Sequence, residues 1–300
     1  MSHPQTGRRV VAAVDGSEPS LHAARVAAEE ARRRGAPLHL VTALPWGSRD
    51  VVTPRAPASD LPAVLLRAAE DVLRELATTL APVAAAEGVT WAVVERPAVD
   101  VLREESARAG LLVLGSRGAG GVAGLLVGHT ANAVVAAAEC PVVVLPDEST
   151  VTVTRRRSVV VGVEGRPGDE DVLRFAFAEA AARRTDLVAV HTWQDVTLEA
   201  AYSSVTPLVD WSSVHADEQR VLAEALAGWP DKHPDVEVRE LVVREKPARG
   251  LLAAATTAEL LVVGHRRRNR LAALGSTTHG VLHRAPCPLA VVPVGTGAGR

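Results

Sequence analysis

Residues 111–146 read LLVLGSRGAGGVAGLLVGHTANAVVAAAECPVVVLP, and the pattern of this stretch decides the fold. Leu111–Leu114 and Pro141–Leu145 are short apolar runs without alternation, the signature of parallel strands covered on both faces. Between them lie a glycine-rich loop and a helix that opens near Thr130. Gly115 ends the first strand, Gly118 follows three residues on, and Gly128 stands immediately before the helix. Glycine has no Cβ and tolerates positive φ, so such a loop brings backbone N–H groups close to a ligand. The helix start adds unpaired N–H groups and the positive end of its dipole. The chemistry that fits is an anionic tail, a phosphate chain above all.

Working outward, the same arrangement occurs twice. The run before Asp15 (Val-Val-Ala-Ala-Val) matches that before Glu164 (Val-Val-Gly-Val), and Glu95-Arg96-Pro97-Ala98 matches Glu245-Lys246-Pro247-Ala248. Leu-Leu-Val-Leu before Gly115 matches Leu-Leu-Val-Val before Gly264, and Cys140-Pro141 matches Cys287-Pro288. The offset stays at about 150 residues throughout, which means two tandem copies of one domain. The expected division is 1–148 for the first domain, 149–157 for a linker rich in Thr, Ser and Arg, and 158–300 for the second.

In the first copy, strands are expected at 9–14, 38–43, 89–94, 111–114 and 141–145. Helices are expected from Ser17 to about Arg34, over 61–86 with Pro82 kinking or ending it, over 99–109, and from about Thr130. Ser17 suits the N-cap of the first helix, and Gly35 stops it after three arginines. In the second copy, strands fall at 158–163, 187–193, 236–243, 260–263 and 288–292, and helices at 169–184, 212–229, 248–257 and from Ser276. Strands alternating with helices imply right-handed crossovers and a parallel sheet, hence an α/β fold. Ligands of such sheets sit beyond the carboxyl ends of the strands, where strand order reverses. In the first copy those ends are Asp15, Ala43 and Gly115.

Composition narrows the function. The formal charge is -2, with acids and bases nearly balanced, so no global field draws nucleic acid or an anionic membrane. No apolar stretch reaches about 18 residues, which argues against a membrane span, and Met1–Arg9 lacks the apolar core of a signal peptide. The two cysteines recur once per copy without a partner at metal-ligand spacing, so they read as small core fillers in a reducing cytoplasm. His191, His265, His279 and His283 form no ligand pattern with cysteine or carboxylate. His265-Arg266-Arg267-Arg268-Asn269-Arg270 is the strongest charge run. With no interleaved aromatics it reads as a solvated loop or anion clamp rather than a nucleic-acid site.

The run Gly115-Ser116-Arg117-Gly118, nine residues, then Gly128 resembles the G-x-x-G-x(9)-G-[S/T] nucleotide loop of the universal stress protein family. His129 departs from that pattern, and Thr130 supplies a hydroxyl one position later. The resemblance implies two open five-stranded parallel sheets in strand order 3-2-1-4-5, and binding of ATP or another adenine nucleotide, with magnesium carried by the nucleotide. It implies that Asp15 faces the ribose and that backbone groups at Thr42 and Ala43 hold the adenine edge, with Ala13, Val14 and Leu114 beside them. Gly115, Arg117, Gly118, Gly128, His129 and Thr130 would then surround the phosphates. The matching positions of the second copy are Val163, Glu164, Thr192, Val263, Gly264, Gly275, Ser276 and Thr277. There Glu164 replaces Asp15, Arg267 stands where the second glycine belongs, and the loop is shorter, so a weakened second pocket is expected.

The family also dimerises through its last strand. The edges at 140–146 and 287–293 are therefore expected to pair within the chain as a pseudo-dimer, or between chains as a homodimer. No nucleophile is paired with a visible base and orienting acid, so the expected role is a cytoplasmic nucleotide sensor acting on an unknown protein partner, without efficient catalysis. The rival readings are a slow ATP hydrolase or nucleotidyl transferase on the same fold, and a ligand-free interaction module.

Overall fold

The computed structural model describes residues 8–45, 61–84, 88–118, 127–146, 158–193, 211–266 and 274–295. Contacts divide them into two compact units, 8–146 and 158–295. The expected linker, 149–157, lies outside the described residues.

In the first unit the strands are β1 (Val10–Ala13), β2 (Leu38–Ala43), β3 (Val89–Val94), β4 (Leu111–Gly115) and β5 (Val142–Leu145). They pair in parallel in the order β3-β2-β1-β4-β5. Helices α1 (Glu18–Arg34), α2 (Leu61–Leu80), α3 (Ala98–Arg108) and α4 (His129–Ala137) make the crossovers. The central strands are buried on both faces: Val10, Val11, Ala12, Leu111, Leu112 and Val113 are all fully buried. Each such valine or leucine contributes about 1.5–3 kcal/mol of burial, which is why uninterrupted apolar runs become strands here. The alanine face of α1 (Ala23, Ala24, Ala27, Ala28 and Ala31) is fully buried as well.

The second unit repeats the plan. Its strands are β6 (Ser158–Val163), β7 (Asp186–Trp193), β8 (Val238–Arg244), β9 (Ala258–Arg266) and β10 (Leu289–Val294). Their order is β8-β7-β6-β9-β10, again parallel. The helices are α5 (Asp169–Arg183), α6 (Trp211–Leu226), a short α7 (Trp229–Lys232), α8 (Pro247–Ala254), continued by one 3-10 turn, and α9 (Ser276–Leu282). Each sheet thus has the expected order, first strand at the centre and the reversal between first and fourth.

Several boundaries differ from expectation for identifiable reasons. α2 ends at Leu80, before Pro82, so the proline terminates the helix rather than kinking it. The helix expected over 212–229 breaks after Leu226, where Gly228 adopts φ 72° and Pro230 opens α7. β8 begins at Val238, two residues later than expected, and β9 continues through Gly264 to Arg266 instead of ending at Val263. β10 pairs with β9 as far as Arg266, opposite Val294, and that pairing extends the strand. Ser17 is the N-cap of α1, but its side chain makes no cap bond; its hydroxyl donates to Asp15 Oδ1 instead, at 2.6 Å.

Equivalent helix ends are solved differently. α1 stops at Gly35, φ 55°, and α5 stops at Arg184, φ 52°. Arg184 is the one non-glycine residue with positive φ among the described residues. Both cysteines are buried and neither is in a disulfide, and burial pushes the Cys140 thiol up to about 12. No described helix is long and apolar enough to cross a membrane.

Candidate functional site

Beyond the carboxyl ends of β1, β2 and β4 lies a hollow of about 360 Å³, within the range of roughly 300–1,000 Å³ usual for small-molecule sites. The floor comes from strand ends: Ala13, Val14 and Asp15 after β1, Val41 and Ala43 on β2, and Leu114, Gly115 and Ser116 on β4. Arg117, Gly118 and Gly128 form its loop side, His129, Thr130 and Ala131 the first turn of α4, and Ser20, Ala98 and Leu102 the remaining wall.

Small residues make the space. A Cβ on Gly115 would lie 2.9 Å from the Pro19 carbonyl oxygen, so the backbone of α1 passes directly over β4. Gly118 does not adopt positive φ, contrary to the expectation that conformational freedom explains the loop glycines. Its requirement is steric: a Cβ there would stand 2.4 Å from Asp15 Oδ2. The loop base is clasped by the Gly128 N–H, which donates to the Ser116 carbonyl at 2.7 Å.

The polar groups are arranged for an anion. Gly128 caps α4 without a side-chain bond and no acid stands in the first turn, so the amides of His129, Thr130 and Ala131 have no intrahelical acceptor and present the positive helix end to the hollow. Ser116 is 3% exposed, yet its hydroxyl has no hydrogen-bond partner among the described residues; a buried hydroxyl without one costs about 1–3 kcal/mol. Asp15 is held in the turn by the N–H and hydroxyl of Ser17, at 3.0 and 2.6 Å, both donating to Oδ1. The Asp15 N–H donates to Ser20 Oγ at 3.2 Å.

The sequence-derived set for this unit therefore meets around one hollow, with one exception. Thr42 turns away: it is buried and its hydroxyl donates to the Val14 carbonyl at 2.7 Å, tying β2 to the end of β1. Ser20, Val41, Ala98, Leu102, Ser116 and Ala131 were not anticipated. Ser116 was legible as the polar residue inside the glycine motif; the others are plain core types whose place only the crossovers decide.

The second unit carries the same positions with other contents. Ser116 corresponds to His265, a buried imidazole 3% exposed, so the charge run expected to form a solvated loop begins inside the core. Arg267–Arg270 lie outside the described residues. Ser20 corresponds to Asp169, whose Oδ2 accepts the N–H groups of Glu164, Gly165 and Arg166 at 3.0, 2.7 and 3.1 Å. Burial raises the Asp169 pKa, partly offset by those amide bonds. Glu164 is exposed and pairs with Arg266 at 3.2 Å. By strand register the counterpart of Thr42 is His191, one residue before the expected Thr192, whose methyl a Cβ on Gly250 would meet at 2.7 Å.

His191 is buried. Nδ1 lies 2.9 Å from the Val163 carbonyl and Nε2 2.7 Å from Glu218 Oε2 on α6. A carbonyl only accepts, so the Nδ1 contact is that of an N–H donor, and the Nε2 contact ties β7 to α6. α6 also covers the first turn: a Cβ on Gly165 would stand 2.1 Å from Val221 Cγ1, whereas one on Gly16 would meet no described atom within 4 Å. Val263 is buried in β9, and a Cβ on Gly264 would meet Val172 and Val294. Gly275 caps α9, with Ser276 and Thr277 in its first turn.

Two tandem α/β units, each with a parallel sheet in the order 3-2-1-4-5 and the first with a glycine-lined hollow at the strand-order reversal, define the class of protein. The chain belongs to the universal stress protein family, whose model matches residues 7–146 and again 155–293. Universal stress protein Rv2005c of Mycobacterium tuberculosis is 36% identical over 97% of this chain and 99% of its own length. Universal stress protein Rv1996 of the same species is 32% identical over 98% of each. The crystal structure of a universal stress protein from Archaeoglobus fulgidus shares the fold, with a TM-score of 0.68 and 18% identity over 96% of this chain and 97% of that one.

Proposed function

We propose that the first unit binds ATP or a related adenine nucleotide, and that the protein serves as a cytoplasmic stress-response sensor rather than an efficient catalyst. The observation that carries this reading is the Ser116 hydroxyl, buried in the wall of the hollow with no partner among the described residues, beside the start of α4, whose cap makes no side-chain bond. A buried donor kept without an acceptor is explained by an acceptor that arrives with a ligand. The phosphates would lie over Gly118, Gly128 and the first turn of α4, with Arg117 alongside and the base toward Ala43, Ala98 and Leu102. Asp15 is the sole carboxylate of the lining among the described residues, so it is suited to ribose hydroxyls, and magnesium would be held mainly by the phosphates themselves. The loop at 119–127 would transmit occupancy to a protein partner; such a shift requires different nucleotide affinities in its two states.

The second unit is proposed to bind nucleotide weakly or not at all. His265 and Val221 take up space, and Asp169 puts a carboxylate where the first unit has Ser20. The 1–148 and 158–300 division, with a pseudo-dimer of the two domains or a homodimer, remains part of the proposal.

Isothermal titration of the full chain with ATP, with and without magnesium, tests this. One nucleotide per chain is expected, and Gly118→Val, which drives a side chain into Asp15, is expected to remove binding. No heat at millimolar nucleotide, or unchanged binding in Gly118→Val, would overturn the reading.

A further inference from the structure

His279 and His283 belong to the second unit and lie outside the positions discussed for nucleotide binding. The His283 N–H donates to the His279 carbonyl at 3.4 Å, so helical register runs through both residues. Side chains four residues apart share a helix face, and the two rings meet edge to face, with centroids 4.6 Å apart and planes at 60°. His279 is exposed and His283 partly so. Thr278, Val281 and Leu282 are buried in the core and fix the helix beneath them. The pair therefore stands on a packed platform.

The tandem repeat supplies an internal control. Counting forward from Gly128 and Gly275, or back from Cys140 and Cys287, the same register in α4 holds Asn132 and Ala136. The fold does not need imidazole there. Both histidines are peculiar to the second unit, and together they make a donor set that neither makes alone.

We infer that His279 and His283 chelate a divalent transition-metal ion of the imidazole-preferring kind (zinc, nickel or copper) on the surface of α9. Metal–nitrogen bonds of about 2.0–2.1 Å place two ligating nitrogens roughly 3.0–3.5 Å apart, a separation that small side-chain rotations reach from the observed edge contact. Burial, then the neighbouring His279 and Arg284, lower the His283 pKa, which keeps its ring in the neutral form that ligates. Among the described residues no group of three or more His, Cys, Asp or Glu can hold a metal, so water completes the shell and the ion exchanges readily. Copper should bind tightest, with nickel and zinc weaker, following the usual order for nitrogen sites. Magnesium and calcium, which prefer oxygen, should not compete.

The test is isothermal titration of the full chain carrying His3→Ala, which removes the copper and nickel chelate that an N-terminal Met1-Ser2-His3 forms, free of any affinity tag and of nucleotide, with copper, nickel, zinc and magnesium chlorides in turn. One equivalent of copper, nickel or zinc is expected per chain, and none of magnesium. His279→Ala and His283→Ala should each weaken copper binding by about tenfold or more. The double variant His279→Asn with His283→Ala reproduces the register of the first unit and should remove this site while keeping the metal-free melting temperature. Electron paramagnetic resonance of the copper form should show two equatorial nitrogens in the native chain and lose that pattern in either single variant. Native-like copper affinity in the double variant, or no one-to-one event in the native chain, would overturn the inference. Because no nucleotide is present, the result is independent of the proposed role of the first unit.

Discussion

The turn after β1 and the turn after β6 occupy the same place in two copies of one fold, yet one is open and the other covered. A Cβ on Gly16 would meet no described atom within 4 Å; above Gly165 stands Val221. At the base of the loop, a serine hydroxyl lacks a partner in the first unit, and a buried histidine takes its position in the second. Strand order is unchanged, so the sheet does not dictate whether its carboxyl edge is open or covered. A handful of side chains at the strand ends does, together with the helix that crosses them.

The comparison is broken most severely at the glycines that end β4 and lie within β9. Gly115→Ala should cost about 2–3 kcal/mol, because its Cβ meets the rigid backbone of Pro19, while Gly264→Ala, facing the methyls of Val172 and Val294, should cost about 1 kcal/mol. Urea melts of both variants measure the difference, and equal losses would show that α1 yields as readily as a side chain.

Next in size is the tie between the first two strands of each unit. His191→Ala removes two hydrogen bonds and strands the Val163 carbonyl, so it should lose about 2 kcal/mol; Thr42→Ala removes one bond and should lose about 1 kcal/mol. A larger loss for Thr42→Ala would mean that α6 is held by its apolar contacts alone.

Much of this contrast was legible in the chain. Apolar runs gave the strands, because a strand buried on both faces leaves no room for alternation, and Gly115, Gly118 and Gly128 located the hollow. The reason for Gly118 was not legible, since the carboxylate it must clear comes from Asp15, far away in sequence. Nor was the cover over the second unit. Val221 reads as one more apolar residue of an amphipathic helix, and only the path of α6 across the ends of β6 and β7 sets it above Gly165. The Thr42 side chain shows a similar dependence: a hydroxyl at a strand end faces ligand or backbone according to pleat, and here the pleat turns it to Val14.

A smaller test sharpens the role of Ser116. Ser116→Ala should weaken nucleotide binding about five- to tenfold, equivalent to about 1 kcal/mol, with the unliganded melting temperature maintained or raised. Lowered stability with unaltered affinity would assign the hydroxyl to the fold instead. The smallest effect concerns the two helix ends. Arg184→Gly should stabilise the second unit by about 0.5–1 kcal/mol, because glycine accepts the left-handed conformation that arginine is forced into, while Gly35→Ala should cost the first unit about 1 kcal/mol. Thermal melts would read both.

The bond from the Gly128 amide to the Ser116 carbonyl has a consequence for how this chain can diversify. It pins both feet of an intervening segment to each other, much as a buckle fixes a strap whatever the strap is made of. Length and composition between those feet can then drift, or be exchanged for a foreign peptide, while the cradle beneath keeps its shape. Change there leaves the walls of the hollow as they are.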